Sequence, residues 1–194
     1  MKTIFLAFFL LFAFSTTRLS TTAQFVYDTD SNPLNNGGSY HIVPVFRGRG
    51  GGLKLAKTGN ETCPLTVVQA RSDLDPGLPA NLASPVFSLD ITEGIPLFIS
   101  FAEVPDCVPK PSQWGAVKEF PIGWPVEVAS HETVHGPFRI EKYDKYGSND
   151  YKLVFCRRED SVCGDLGIHN RRLVVRDGNP FIVHFQKATE KSAN

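Results

Sequence analysis

The stretch Tyr151-Lys152-Leu153-Val154-Phe155-Cys156 carries the pattern that decides the fold of this chain. It is rich in β-branched and aromatic residues, and its first three positions alternate apolar with polar, as in a strand with one buried face. Similar short runs lie at residues 40–43, 65–68, 97–101, 125–128, 138–140, 172–175 and 181–185. Short strands at regular spacing with turn signals between them predict an all-β sandwich or barrel.

The content of proline and glycine supports the all-β prediction. Fourteen prolines and sixteen glycines interrupt the chain every few residues, which leaves no room for long helices. When the chain after residue 23 is divided into three equal blocks, each block carries about four strand-like runs. Three units of four strands is the plan of a β-trefoil, although a Greek-key sandwich fits the pattern nearly as well.

The N-terminal segment predicts a secreted protein. Lys2 precedes the unbroken apolar run from Ile4 to Phe14, and a polar segment of small residues ends at Ala23. This is the layout of a secretory signal peptide, and the run is too short to span a bilayer. An N-terminal membrane anchor is the alternative. We expect a signal peptide at 1–23, one domain at 24–194, and a destination outside the cell, in the cell wall or in the vacuole.

The four cysteines predict two disulfides, because an even count behind a signal peptide is typical of a bridged secreted protein. Six residues separate Cys156 from Cys163, so a local bridge is the simplest choice, and it leaves Cys63 with Cys107. A zinc site is the alternative, but no CxxC spacing occurs and no metal is expected. Asn60-Glu61-Thr62 is an N-glycosylation sequon, which makes Asn60 a candidate glycan site.

Charge and motifs argue against several functions. The chain has 20 basic and 20 acidic residues, so nothing in its charge favours binding to nucleic acid or an anionic membrane. No GxSxG, P-loop or GxGxxG motif occurs, and neither an enzyme nor a cofactor is predicted. His131-Glu132-Thr133-Val134-His135 is a literal HExxH. A zinc peptidase needs this motif on a helix, whereas Gly136-Pro137 follows it and a strand-like run precedes it.

Several segments in the same order resemble the soybean Kunitz protease inhibitor family. They are residues 26–34 (VYDTDSNPL), 40–42 (YHI), 58–69 (TGNETCPLTVVQ), 151–156 (YKLVFC), 163–168 (CGDLGI) and 171–175 (RRLVV). One position departs, since Ser31 stands where the family usually has Gly or Asp. The resemblance covers essentially the whole chain after residue 23. It implies a twelve-stranded β-trefoil with a threefold pseudo-repeat, the same two disulfides, and a monomer.

The resemblance also implies a reactive loop, which a protease binds as it would a substrate. By match to the family, the loop comprises Ser84, Pro85, Val86, Phe87, Ser88, Leu89 and Asp90. The scissile bond would be Phe87–Ser88, and Asn36 would lie beneath the loop and hold its carbonyls. Phe87 would be the primary specificity residue. Trypsin-inhibiting members carry Arg or Lys at this position, whereas Phe suits the hydrophobic pocket of a chymotrypsin-like enzyme.

These residues have ordinary interpretations as well. Phe87 taken alone is more typical of a buried core aromatic. Asn36-Gly37 is typical of a simple turn, and Pro85 is typical of an ordinary loop. The function expected is inhibition of a serine endopeptidase. The alternatives are a storage, miraculin-like or other binding protein without a serine protease target, or an inhibitor of a cysteine protease or amylase, since the family includes all of these.

Overall fold

The structure is a computed structural model that describes residues 24–118, 123–128, 133–134, 136–158 and 162–189. The expected signal peptide lies outside these ranges. The described residues form thirteen strands and no α-helix. The strands are β1 (Ser39–Pro44), β2 (Leu53–Ala56), β3 (Thr66–Gln69), β4 (Ala80–Ala83), β5 (Phe98–Phe101), β6 (Trp114–Val117), β7 (Trp124–Val128), β8 (Thr133–Val134), β9 (Phe138–Lys142), β10 (Tyr151–Cys156), β11 (Cys163–His169), β12 (Arg172–Val175) and β13 (Ile182–Lys187).

Six of these strands close into a barrel. Strand β1 pairs with β4 and β13, β4 pairs with β5, and β10 pairs with β9 and β13, all antiparallel. The ring is completed beside β5 and β9, where Leu97 N donates to Phe138 O at 2.7 Å and Phe138 N donates to Leu97 O at 2.9 Å. Closure leaves the barrel without a free edge, which protects its strands from pairing with other chains.

Three hairpins complete the fold. They are β2–β3, β6–β7 and β11–β12, and β12 also pairs with β3 and β7 while β3 pairs with β7. A six-stranded barrel with three mutually paired hairpins is a β-trefoil, so the trefoil prediction is confirmed and the Greek-key sandwich is wrong. Twelve strands fill this plan. The thirteenth is the two-residue β8, which adds to the outer side of β6.

The core is built around a chain of aromatic rings. The rings of Phe101 and Trp114 lie 5.2 Å apart, those of Trp114 and Phe138 5.9 Å, and those of Phe138 and Phe155 5.1 Å between centroids. All four side chains are buried. The tilted and edge-on arrangements suit the electrostatics of aromatic pairs. The apolar positions of β5, β6, β9 and β10 therefore point into one shared interior.

The disulfides have the expected pairing, Cys63 with Cys107 and Cys156 with Cys163. The two cysteines of the local bridge face each other where β10 pairs with β11. No group of His, Cys, Asp and Glu that is suited to a metal ion occurs in the described ranges.

The HExxH segment is a strand where its structure is described. Thr133 and Val134 form β8 and pair with Val117 and Ala116, whereas His131, Glu132 and His135 lie outside the described residues. The extended backbone at the centre of the motif is incompatible with the helix that a zinc peptidase requires.

An ion pair between Lys54 and Asp75 predicts a small, pH-dependent contribution to stability. Lys54 Nζ lies 2.6 Å from Asp75 Oδ2, and Gly77 N donates to Asp75 Oδ1 at 3.0 Å. The hydrogen bond from Lys54 lowers the pKa of Asp75, partial burial raises it, and the hydrogen bond from Gly77 lowers it further. Both side chains are about one-third exposed, so the pair contributes less than about 1 kcal/mol.

We expect Lys54→Met to lower the free energy of unfolding by under about 1 kcal/mol near neutral pH. The pKa of Asp75 is lower in the folded than in the unfolded chain, so its contribution is present above about pH 4 and is lost as pH falls through the folded value. Urea unfolding at several pH values measures this. Lys57→Met, at an exposed lysine just after β2, is the control. A Lys54→Met deficit that is constant down to low pH contradicts the assignment.

Candidate functional site

The connection from β4 to β5 carries an exposed apolar segment. Phe87 is fully exposed, with a relative accessibility of 109%, and Leu89 is 88% exposed. Large apolar side chains at this exposure are unusual, because burial of each would stabilise the fold by about 1.5–3 kcal/mol. The core interpretation of Phe87 is therefore wrong. Two neighbouring apolar side chains in full contact with water indicate a surface that a partner covers.

The side chain of Asn36 holds this segment from beneath. Its Nδ2 lies 3.2 Å from Ser84 O, 3.1 Å from Ser88 O and 3.4 Å from Val86 O, the last a long contact. Its Oδ1 accepts from Ser84 N at 2.7 Å. Backbone bonds add to this, since Asn36 N donates to Leu89 O at 2.8 Å. One amide thus bonds to backbone on both sides of the Phe87–Ser88 bond.

The turn that presents Asn36 is fixed by its neighbours. Gly37 has φ +84°, a left-handed conformation that favours glycine, and its N–H donates to Leu82 O at 2.7 Å. The hydroxyl of Tyr40 accepts from Asn35 N at 2.8 Å. Tyr40 is buried, and this burial raises the pKa of its hydroxyl, so it stays protonated. The core of the barrel therefore determines where the Asn36 side chain points.

Further polar contacts shape the ends of the loop, and sequence reasoning missed them. Ser84 Oγ accepts from Val86 N at 3.1 Å, and Ser88 Oγ donates to Asp90 O at 2.8 Å. Asn35 Nδ2 donates to Asp90 Oδ1 at 3.1 Å. Beyond the loop, Ile91 is fully buried, and its N–H donates to Leu34 O at 2.8 Å. Ile91, an apolar residue flanked by Asp90 and Thr92, was the one sequence signal for this anchor.

The loop is therefore an exposed, internally bonded segment with an apolar apex. Its residues 84–90 include one acid and no base, so it offers no cation to a partner. A segment that holds its shape without a partner loses little conformational entropy when it binds. Its chemistry suits insertion of Phe87 into an apolar pocket of another protein.

The candidate glycan site lies elsewhere. Asn60 is exposed in the connection between β2 and β3, beside a tight turn in which Gly59 N donates to a carboxylate oxygen of Glu61 at 2.7 Å. An exposed position is what an N-linked glycan requires, and glycosylation of Asn60 stays a prediction. Within the described residues, no helix has the length and apolarity of a membrane span.

Comparisons with known proteins agree with the fold. The family model for legume Kunitz inhibitors, described as "Trypsin and protease inhibitor", matches residues 26–187. The Kunitz-type trypsin inhibitor KTI1 of Glycine max is 45% identical over 99% of both chains. The trypsin inhibitor BvTI of Bauhinia variegata is also 45% identical, over 85% of this chain and 97% of its own.

Solved structures give the same result. Soybean trypsin inhibitor in complex with porcine pancreatic trypsin has a TM-score of 0.77 and 40% identity, covering 86% of this chain and all of that one. A Kunitz-type trypsin inhibitor from Cicer arietinum has a TM-score of 0.79 and 34% identity, with 86% and 99% covered. These similar proteins are inhibitors and not enzymes. The chain belongs to the legume Kunitz family of trypsin and protease inhibitors.

Proposed function

We propose that this protein inhibits a serine endopeptidase with residues 84–90 as the reactive loop and Phe87 as the primary specificity residue. The observation that carries the proposal is the full exposure of Phe87 on a loop whose backbone is bonded to Asn36 from beneath. The matched soybean inhibitor binds a serine endopeptidase, porcine trypsin. The same mode of binding is proposed here for a protease of different specificity.

Binding begins with the side chain of Phe87. In the free protein the ring is in water, and in the complex it fills the primary pocket of the protease, which is worth about 1.5–3 kcal/mol. The scissile carbonyl is that of Phe87. Asn36 Nδ2 donates to the carbonyls of Ser84 and Ser88 and does not use the carbonyl of Phe87, so the Phe87 carbonyl is left to accept hydrogen bonds in the oxyanion hole of the protease.

Inhibition follows when cleavage is unproductive. Attack by the protease serine on the Phe87 carbonyl releases the amine of Ser88, and a substrate would then lose this end of its chain. Here Asn36 N bonds to Leu89 O, and the Asn36 side chain bonds to Ser88 O. The new amine stays beside the acyl group, at a high effective concentration, and re-forms the bond. The protease therefore remains occupied.

The apolar apex decides which proteases bind well. A trypsin-like pocket has a carboxylate at its base, and burying that carboxylate against Phe87 leaves it without a partner, which is costly. A chymotrypsin-like pocket is apolar and accepts an aromatic ring. We therefore propose a chymotrypsin-like preference, although the relatives named above are trypsin inhibitors. Secretion through a signal peptide at 1–23 and a monomeric state complete the proposal.

Titration of the purified protein against a protease panel tests this function. We expect stoichiometric inhibition of chymotrypsin, some inhibition of subtilisin and much weaker inhibition of trypsin. A cysteine protease of the papain type and an α-amylase serve as negative controls. Inhibition of trypsin as tight as that of chymotrypsin contradicts the preference for Phe87. Inhibition of the cysteine protease or amylase alone, or of no enzyme, contradicts the proposed function as a whole.

A further inference from the structure

A second surface, separate from the reactive loop, combines cations with aromatic rings. We name it the arginine groove. It is lined by Phe46, Arg47 and Arg49 after β1, by Tyr143, Lys145 and Tyr146 after β9, and by the chain before β13. Its volume is about 660 Å³, within the range of small-molecule sites. None of these residues belongs to the proposed reactive loop.

The groove concentrates positive charge in a chain that is neutral overall. Arg47, Arg49 and Lys145 contribute three cations, and no acid lines the groove, while the chain as a whole has equal numbers of acids and bases. Two acids close to the groove have partners of their own, and exposed Asp177, two residues before Asn179, lines a different depression. Asp144 lies 3.5 Å from Lys142, and Asp73 accepts from the backbone of Gly48 and of Gly50, the latter at 2.7 Å. The groove therefore favours an anion.

The aromatic residues form a fixed platform. The rings of Phe46 and Tyr146 meet edge to face at 4.8 Å, and those of Tyr143 and Tyr146 lie 5.9 Å apart. Lys145 Nζ lies 5.7 Å from the centre of the Tyr146 ring, which is within cation–π range. Phe46 and Tyr146 are nonetheless 41% and 54% exposed. Flat apolar faces beside cations are therefore available to a ligand.

The backbone of both loops is held in place before any ligand arrives. Tyr143 N donates to Asp150 O at 2.8 Å, and Lys145 N donates to Tyr143 O at 2.8 Å. The loop after β1 is held by the two bonds from Gly48 and Gly50 to Asp73. Preorganised loops lose little entropy on binding. Two further depressions share Phe46, Arg47 or Arg49, with volumes of about 610 and 290 Å³, so the surface continues beyond one small site. The larger of the two is also lined by Asp73, whose carboxylate accepts from Gly48 and Gly50.

We propose that the arginine groove binds an anionic polysaccharide whose sugar units carry carboxylates. A guanidinium binds a carboxylate through two parallel hydrogen bonds, and the aromatic faces can stack on the apolar faces of sugar rings. The continuing depressions suit a polymer rather than a single sugar. Nucleic acid is disfavoured, because three cations make few phosphate contacts and the rest of the chain is neutral. The proposal does not depend on the protease target.

Calorimetry with oligogalacturonate, an oligomer of a uronic acid, tests the proposal. The variant Arg47→Ala/Arg49→Ala is expected to bind roughly ten- to a hundredfold more weakly than the native protein, because two charge-assisted contacts are lost. Arg47→Lys/Arg49→Lys keeps the charge but loses the planar fork, and an intermediate affinity is expected. Lys57→Ala/Arg71→Ala removes two exposed cations outside the groove and is expected to leave binding within about twofold.

Four outcomes overturn the proposal. In the first, the native protein does not bind oligogalacturonate, and in the second, both alanine pairs weaken its binding equally. In the third, a neutral oligosaccharide binds as tightly as oligogalacturonate, and in the fourth, a single-stranded oligonucleotide of the same charge binds more tightly. Thermal unfolding shows whether the variants fold. We expect all of them to fold, since the four substituted basic residues are exposed or lie at the rim of the groove. Chymotrypsin inhibition, measured on the same samples, should not change, so failure here is distinct from failure of the proposed function.

Discussion

Phe87→Arg is expected to convert the protein into an inhibitor of trypsin, with affinity for trypsin increased by roughly a thousandfold. The arginine would meet the carboxylate at the base of the trypsin pocket, and close charge pairs at protease-sized interfaces contribute about 1.5–7 kcal/mol. A thousandfold change corresponds to about 4 kcal/mol. Affinity for chymotrypsin should fall in the same variant, because a charged side chain replaces an aromatic ring in an apolar pocket. Inhibition constants for both enzymes measure the exchange.

The stability of this variant should not change, because Phe87 is fully exposed and makes no contribution to the core. Leu89→Arg is the matched control. It places the same charge on a side chain of similar exposure two residues further along the loop, and it should leave trypsin inhibition weak. Phe87→Ala removes the ring without adding charge and should weaken chymotrypsin inhibition alone. If neither Phe87 variant changes the inhibition profile, Phe87 is not the specificity residue.

The strand pattern of the fold was predictable wherever apolar residues alternate. Residues 151–156 form β10 as expected, with Tyr151 and Leu153 buried and Lys152 between them partly exposed. Strands such as β4, with the sequence Ala80-Asn81-Leu82-Ala83, were not predicted. Alanine and asparagine have little intrinsic preference for strands, and this segment is a strand because β1 and β5 pair with it on its two sides. A local sequence pattern does not encode which distant segments pair with each other.

The candidate site was less predictable from local sequence patterns than the strands were. The position of the loop came from resemblance to a family, whereas composition alone favoured a buried Phe87. The bonds from Asn36 to the carbonyls of Ser84 and Ser88 join residues 48 and 52 positions apart, and no local pattern encodes such contacts. The contact of Asn35 with Asp90 was not foreseen for the same reason. Side-chain contacts between loops can be identified only in the folded protein, because the barrel brings the loops together.

Asn36→Ala is expected to weaken inhibition of the target protease by roughly 30- to 1,000-fold. The variant loses one accepted and two well-formed donated hydrogen bonds, together with a longer contact to Val86 O. At about 0.5–1.5 kcal/mol for each bond, the loss amounts to about 2–4 kcal/mol. In the free protein the loop would sample other conformations, so binding would require an ordering that the native loop does not need.

Cleavage should distinguish a positioning role from a merely local contact. In the native protein the bond Phe87–Ser88 is expected to be re-formed after cleavage, so catalytic amounts of protease leave a constant ratio of intact to cleaved chain. In Asn36→Ala the new ends separate more often, and the cleaved form should accumulate with time. Mass spectrometry of protease digests at fixed times measures this ratio independently of the inhibition constant.

Two further variants separate the amide of Asn36 from its surroundings. Asn36→Asp keeps the size and an acceptor for Ser84 N but offers no N–H to the three carbonyls, so we expect a loss at least as large as with alanine, because a carboxylate facing carbonyl oxygens is repelled. Asn35→Ala, on the same turn, loses one exposed bond to Asp90 and should cost less than about 1.5 kcal/mol. Equal losses for Asn35→Ala and Asn36→Ala would mean that the turn as a whole, rather than the amide at position 36, holds the loop. Wild-type inhibition by Asn36→Asp would show that the donated bonds contribute nothing.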